Sequence, residues 1–139
     1  MSTFLRLCVV ACLALPLAAC GSSCCNGHKA SHDEAFKRIS AVDLNNKLIA
    51  KEAIFVFDEN GDERFSKGHI PTAKHLKADE VSATTLPADK AAFLVFYCGS
   101  DKCTACHHAA EAAIALGYTN VWIMPEGIKG WEEQKLPVE

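Results

Sequence analysis

Three thiols lie within one short stretch, Cys98-Gly99-Ser100-Asp101-Lys102-Cys103-Thr104-Ala105-Cys106. The stretch follows an apolar run ending at Tyr97 and leads into an alanine-rich helical segment from Ala105 to Leu116. A loop that wraps into a helix start turns backbone N–H groups inward and favours negative charge at its centre. Gly99 to Thr104 are therefore expected to cradle the Cys98 sulfur, lower its pKa and make it nucleophilic at neutral pH. The same cradle suits a persulfide or an attacked oxyanion. Gly99 permits a tight turn beside the sulfur. The competing reading is that Cys98 is a small buried hydrophobe at a strand end. Cys103 and Cys106 are spaced C-x-x-C and are candidate resolving thiols, able to close a disulfide on an oxidised or sulfur-loaded Cys98. The competing reading is that they are two small residues packing the helix start. With His107 the same residues spell C-x-x-C-H, the attachment pattern of c-type haem, and a soft-metal site is a further alternative. Lys102 is the loop's only cation.

The elements that must hold this loop follow from patterning. Ser40, with an acid three residues on at Asp43, marks a helix start whose apolar face is Leu44, Leu48 and Ile49. Ala53 to Phe57 is a continuous apolar run ending at Asp58, as expected of a strand buried on both faces. Ala91 to Tyr97 is a second such run, and Val121 to Met124 a third. The helix between them has Ala105, Ala109, Ala112, Ala113 and Leu116 on its apolar face, with Gly117 placed as its C-terminal cap. Ile128 to Lys135 reads as a last short helix, and Leu76 to Lys90 as irregular chain broken at Pro87. Strands alternating with helices predict an α/β domain with a mostly parallel sheet covered on both faces. In such sheets sites form beyond the carboxyl ends of the strands, where Asp58 and Cys98 both fall.

The 139 residues and formal charge of −3 suit one domain and give no basic footprint for nucleic acid. Residues 1–19 are set apart. Arg6 precedes an apolar run from Leu7 to Leu15, too short to span a bilayer and typical of an export signal. The segment ends Leu17-Ala18-Ala19-Cys20, which resembles the lipobox of bacterial lipoproteins. That resemblance implies cleavage before Cys20, lipid attachment to its thiol, and a domain anchored to a bacterial membrane, facing the periplasm or the cell exterior. Residues 20–35, rich in Gly, Ser, Asn and His, read as a tether to a domain over 36–139. Cys24, Cys25 and His28 within it match zinc-ligand spacing poorly, so no metal is assigned.

Four stretches, in order, resemble the rhodanese-like domains: Phe57-Asp58 followed by Gly68-His69-Ile70-Pro71-x-Ala73; Val95-Phe96-Tyr97-Cys98; Ala109-Ala110 through Leu116-Gly117-Tyr118 to Val121; and Gly127-Ile128-x-x-Trp131 to the C-terminus. The resemblance implies a sheet of about five parallel strands between helices. It also implies a sulfurtransferase in which Cys98 carries sulfane sulfur as a persulfide. That activity needs no cofactor; it takes a small donor such as thiosulfate or polysulfide and a thiol acceptor. Asp58 and His69 fall on motif positions that shape the fold near the site. The chain also departs from the pattern. Asn60 stands where the early Asp-x-Arg motif has arginine, Thr72 follows Pro71, and Glu126 replaces the first of two glycines. The loop after Cys98 is longer than the common sulfurtransferase form and resembles that of phosphatase and arsenate-reductase relatives. Those relatives grip an oxyanion with an arginine at the loop's end, where this chain has Thr104, so phosphatase chemistry is disfavoured. The missing arginine and extra thiols leave a non-enzymatic thiol-redox or metal-binding module as the alternative.

Overall fold

The computed structural model describes residues 36–139. The export signal, Cys20 and the Cys24, Cys25 and His28 cluster lie outside the described residues. Among those residues the elements run β1 (Lys37–Arg38), α1 (Ala41–Ile49), β2 (Ile54–Asp58), α2 (Asp62–Ser66), β3 (Lys74–His75), a 3-10 turn (Ala78–Glu80), β4 (Phe93–Tyr97), α3 (Ala105–Ala115), β5 (Val121–Ile123) and α4 (Gly127–Glu133). The five strands form one sheet in the order β1-β5-β4-β2-β3, every neighbouring pair parallel. The three apolar runs are its three middle strands. β1, β3 and α2 carry no long apolar pattern and were not expected. β1 and β3 are exposed or half-exposed edge strands of two residues each, and α2 buries no residue.

Alternation along β4 builds two cores. Leu94, Phe96 and Cys98 pack with α3, the 3-10 turn and Val121 and Ile123 of β5. Val95 and Tyr97 pack on the other face with Ala41 and Leu44 of α1 and Ile128 and Trp131 of α4. Ser40 caps α1 as expected, its hydroxyl accepting from the Asp43 N–H at 3.1 Å. Two helix faces differ from expectation. Ile49 is 70% exposed, because it lies about 140° around the helix from Leu44, whereas Leu48 lies about 40° away. On α3 the buried stripe is Cys106, Ala109, Ala110 and Ala113. Ala105 and Ala112 are only half-buried and Leu116 faces solvent, since Cys106 turns inward onto Cys98 and sets the helix's rotation. Gly117 closes the helix at φ +91°, with the Tyr118 N–H returning to the Ala113 carbonyl at 3.1 Å.

A buried polar hub fixes the sheet's carboxyl edge. Asp58 pairs in register with Tyr97. The Tyr97 hydroxyl donates to Asp58 Oδ2 at 2.5 Å and accepts from the Ile70 N–H at 3.1 Å. Asp58 Oδ1 accepts from the Asn60 backbone N–H and from Asn60 Nδ2, both at 2.7 Å. Asn60, at the position of the missing arginine, is thus spent on Asp58. Removing the hydroxyl would leave a buried carboxylate oxygen and a buried N–H short of partners. Tyr97→Phe is therefore expected to cost about 2–3 kcal/mol in denaturant unfolding. A loss under about 0.5 kcal/mol would contradict the hub's role.

Candidate active site

Cys98 is the first residue after β4, and its carbonyl is gripped from the far side. The first turn of α4 donates two N–H groups to the loop, Ile128 to the Cys98 carbonyl at 2.9 Å and Lys129 to the Gly99 carbonyl at 3.1 Å. This approach needs glycine at Gly127. Its φ is +61°, and a Cβ there would sit 2.5 Å from the Cys98 carbonyl oxygen. α3 then leaves the loop on the other side of the sheet. Two secondary elements therefore hold Cys98, and the residue is 1% exposed.

The sulfur's surroundings overturn the expected cradle. Cys98 Sγ lies 3.5 Å from Cys106 Sγ, 3.5 Å from the Cys103 carbonyl oxygen and 3.9 Å from the Ser100 carbonyl oxygen. Of the backbone N–H groups, that of Cys106 reaches it, whereas those of Gly99 and Ala105 reach the Cys103 thiol instead. The physical reason is the loop's length. Its extra residues fold back as a turn, the Cys103 N–H closing on the Ser100 carbonyl at 3.0 Å, and this swings carbonyls toward Cys98. Carbonyl oxygens accept from an S–H and cannot solvate a thiolate. The Cys98 pKa is accordingly raised, first by the Cys106 thiol contact and then by burial, where a lowering was expected. Cys103, half-buried, is also raised, mainly by desolvation. Lys102 and Asp101 are exposed, and Thr104 precedes α3 without a side-chain capping bond.

A residue the sequence reading passed over lies beside this cluster. Glu59 follows Asp58, and its N–H donates to the Tyr97 carbonyl at 2.9 Å, so it sits at the same sheet edge as Cys98. The side chain is buried and neither carboxyl oxygen has a hydrogen-bond partner. Burial, then the neighbouring Asp58 and Cys98, push its pKa up to about 9. Only its place next to a motif aspartate could have signalled it. His69, by contrast, serves the turn: Nδ1 lies 3.2 Å from the Phe65 carbonyl and its ring stacks on Phe65. Its backbone exchanges two hydrogen bonds with Glu139.

Two clefts flank the loop and Cys98 lines neither. One, about 190 Å³, is lined by Arg38, Asp101, Cys103, Cys106, His107 and Pro125. The other, about 340 Å³, runs between Ser100, Asp101 and the exposed side of α4. The first bears on the haem alternative. Attachment would require Cys103 and Cys106 to point together into a large apolar pocket. Instead Cys106 is 2% exposed and turned to Cys98, His107 stacks on Phe36, and the cleft is too small for a porphyrin. The residues do not fit the group. Among the described residues no group of three or more His, Cys, Asp or Glu is placed to hold a metal ion.

Comparison with known proteins agrees with this architecture. The family model for the rhodanese-like domain matches residues 40–134. The chain belongs to the rhodanese-like family. The Escherichia coli (strain K12) protein YibN is 30% identical over 97 residues, which cover 66% of this chain and 65% of that protein. The chain thus spans just under two thirds of that relative's length. A Bacillus subtilis (strain 168) protein named "Putative sulfurtransferase YtwF" is 28% identical over 103 residues, covering 73% of this chain and 95% of the relative. Among solved structures, the BH2092 protein from Bacillus halodurans superposes with a TM-score of 0.68 at 27% identity, covering 74% of this chain and 76% of that one.

Glu59 makes the fold sensitive to pH in a definite direction. A carboxyl whose folded pKa lies above its unfolded value stabilises relative to its ionised form at low pH. That stability is lost as pH rises from the unfolded value of 4.5 toward about 9. Every other group that titrates between pH 5 and 8 is common to the wild type and to a Glu59 variant, so the difference between the two proteins isolates Glu59. Glu59→Gln, which cannot ionise, should gain on the wild type by at least about 1 kcal/mol between pH 5 and pH 8, or roughly 4–8 °C in Tm. Parallel Tm–pH curves for the two proteins would contradict a buried neutral Glu59.

Proposed function

We propose that the protein is a sulfurtransferase that carries sulfane sulfur as a persulfide on Cys98. The observation that carries this reading is the position of Cys98. It is a buried thiol at the carboxyl end of the central strand, clamped by α4 through its own carbonyl, in a chain of the rhodanese-like family. The name of the Bacillus subtilis relative supports the same chemistry. In the first half-reaction Cys98 gives up its proton to solvent and its sulfur attacks the donor's sulfane sulfur. The donor's S–S bond breaks and its remainder leaves with the electron pair. In the second, an acceptor thiolate takes the outer sulfur and Cys98 returns as thiolate. Carbonyls and the Cys106 thiol hold the resting Cys98 protonated, so deprotonation accompanies donor binding and transfer quickens as pH rises.

The site's charge bears on the donor. Asp58 and the buried Glu59 flank Cys98, Asn60 stands in place of an arginine, and Lys102 points to solvent. A dianion such as thiosulfate gains little there. An organic persulfide or polysulfide, which carries at most one charge, suits the site better. We further propose, from the lipobox-like run ending at Cys20, that residues 1–19 are an export signal and that Cys20 anchors this activity at a bacterial membrane surface. That part of the proposal rests on the order of residues in the N-terminal segment.

The 3.5 Å contact between Cys98 and Cys106 also favours a second reading, a thiol-redox module without transfer. Turnover separates the two. With polysulfide as donor and an excess of low-molecular-weight thiol as acceptor, the wild type is expected to turn over. Cys98→Ala should lose roughly 10³-fold or more of that rate. Retained activity in Cys98→Ala would overturn the assignment, and a wild type that forms a disulfide yet never turns over would establish the redox reading.

A further inference from the structure

In the persulfide reading Cys106 only holds the resting Cys98 thiol protonated, yet its sulfur lies 3.5 Å from Cys98 Sγ. We propose that Cys106 resolves the Cys98 persulfide within the same chain, expelling the sulfane sulfur as hydrosulfide and leaving a Cys98–Cys106 disulfide. The inference rests on Cys98 accepting sulfane sulfur in the first place.

The geometry selects both the attacking thiol and the sulfur attacked. A distance of about 3–3.5 Å is that of reacting atoms poised for attack. Cys106 is already in contact with Cys98 Sγ, the atom that would be the inner sulfur of a persulfide. Attack there forms the Cys106 Sγ–Cys98 Sγ bond and breaks the bond from Cys98 Sγ to the sulfane sulfur. The proton of the Cys106 thiol leaves with the hydrosulfide. The two cysteine sulfurs are oxidised to a disulfide and the sulfane sulfur is reduced to sulfide, so no outside oxidant or reductant enters the step. Attack on the outer sulfur would merely pass it to Cys106.

Burial explains why the internal thiol wins over an external one. Cys98 is 1% and Cys106 2% exposed, so Cys106 meets Cys98 with no rearrangement whereas a solvent thiol must first reach a buried sulfur. The Cys103 thiol also hydrogen-bonds to Cys98, but it is half-exposed and its sulfur is further engaged by the Gly99 and Ala105 N–H groups, which makes it the weaker candidate. Resetting the disulfide takes two external thiols or one dithiol. The cleft lined by Arg38, Cys103, Cys106 and His107 gives such a reductant a path to the Cys106 side of the bond. The chain would thus reduce sulfane sulfur to sulfide at the expense of a thiol pool, rather than only pass it on.

The test uses the reduced, desalted protein with a stoichiometric pulse of inorganic polysulfide and no added thiol, followed by intact mass and peptide mapping. The wild type is expected to finish ~2 Da lighter, by loss of two hydrogens, with Cys98 linked to Cys106. Cys106→Ala, which places one more alanine on an alanine-rich helix face, is expected to hold ~32 Da extra on Cys98. It should release sulfide only when thiol is added. Wild-type protein that retains the extra sulfur without the Cys98–Cys106 link overturns the proposal and leaves the transfer reading standing. So does a map showing Cys98 joined to Cys103, or the sulfur moved to Cys106. If neither protein takes up sulfur, the transfer reading itself fails. The wild-type peptide map decides the matter even where the variant folds poorly.

Discussion

The buried hydrogen bond from Tyr97 to Asp58 is the constraint on which the site depends. A carboxylate that is 1% exposed must have its oxygens occupied, or the fold bears the cost of a desolvated charge. Tyr97 and the two Asn60 donors occupy them. The same hydroxyl holds the Ile70 N–H, which fixes the turn at His69 and Pro71. Because Tyr97 immediately precedes Cys98, the hub also fixes where β4 ends and where the thiol emerges. The clamp from α4 completes the placement by taking the Cys98 and Gly99 carbonyls. The nucleophile is thus positioned through its backbone, which leaves its sulfur free to be surrounded by whatever the loop supplies.

What the loop supplies is unusual for a thiol that must act as a nucleophile. Its extra residues turn carbonyls and a second thiol toward Cys98, and Glu59 adds a carboxyl that burial keeps neutral. The Cys106 thiol contact and burial together outweigh the donors that reach Cys98 and favour its uncharged form. The resting site is therefore a store of protons, with the thiols adjacent and protected from solvent. Such a site suits chemistry between sulfurs already in contact more than the capture of a highly charged donor.

The middle of the fold was readable from the chain because it is written in long apolar runs. Ile54 to Asp58, Phe93 to Tyr97 and Val121 to Ile123 are the three central strands, and Ser40 starts α1 where its capping pattern says. The edge strands Lys37–Arg38 and Lys74–His75 were not, because two polar residues carry no periodicity and exist as strands only through a neighbour's hydrogen bonds. At the site, the sequence located the three thiols but not their order of contact. It misjudged Cys98's electrostatics because a strand–loop–helix pattern says nothing of which backbone groups a longer loop turns inward. Glu59 was invisible for a related reason: an acid is read as exposed unless something marks its burial.

The central claim is that Cys98 Sγ is the atom that bears transferred sulfur. The most direct measurement is a crystal structure of the Cys106→Ala domain after exposure to polysulfide, since that variant lacks the thiol that would remove the added atom. The account predicts new density for one sulfur bonded to Cys98 Sγ, with the Asp58–Tyr97 hub and the α4 clamp unchanged. An unmodified Cys98 with the added sulfur on Cys103 would contradict it.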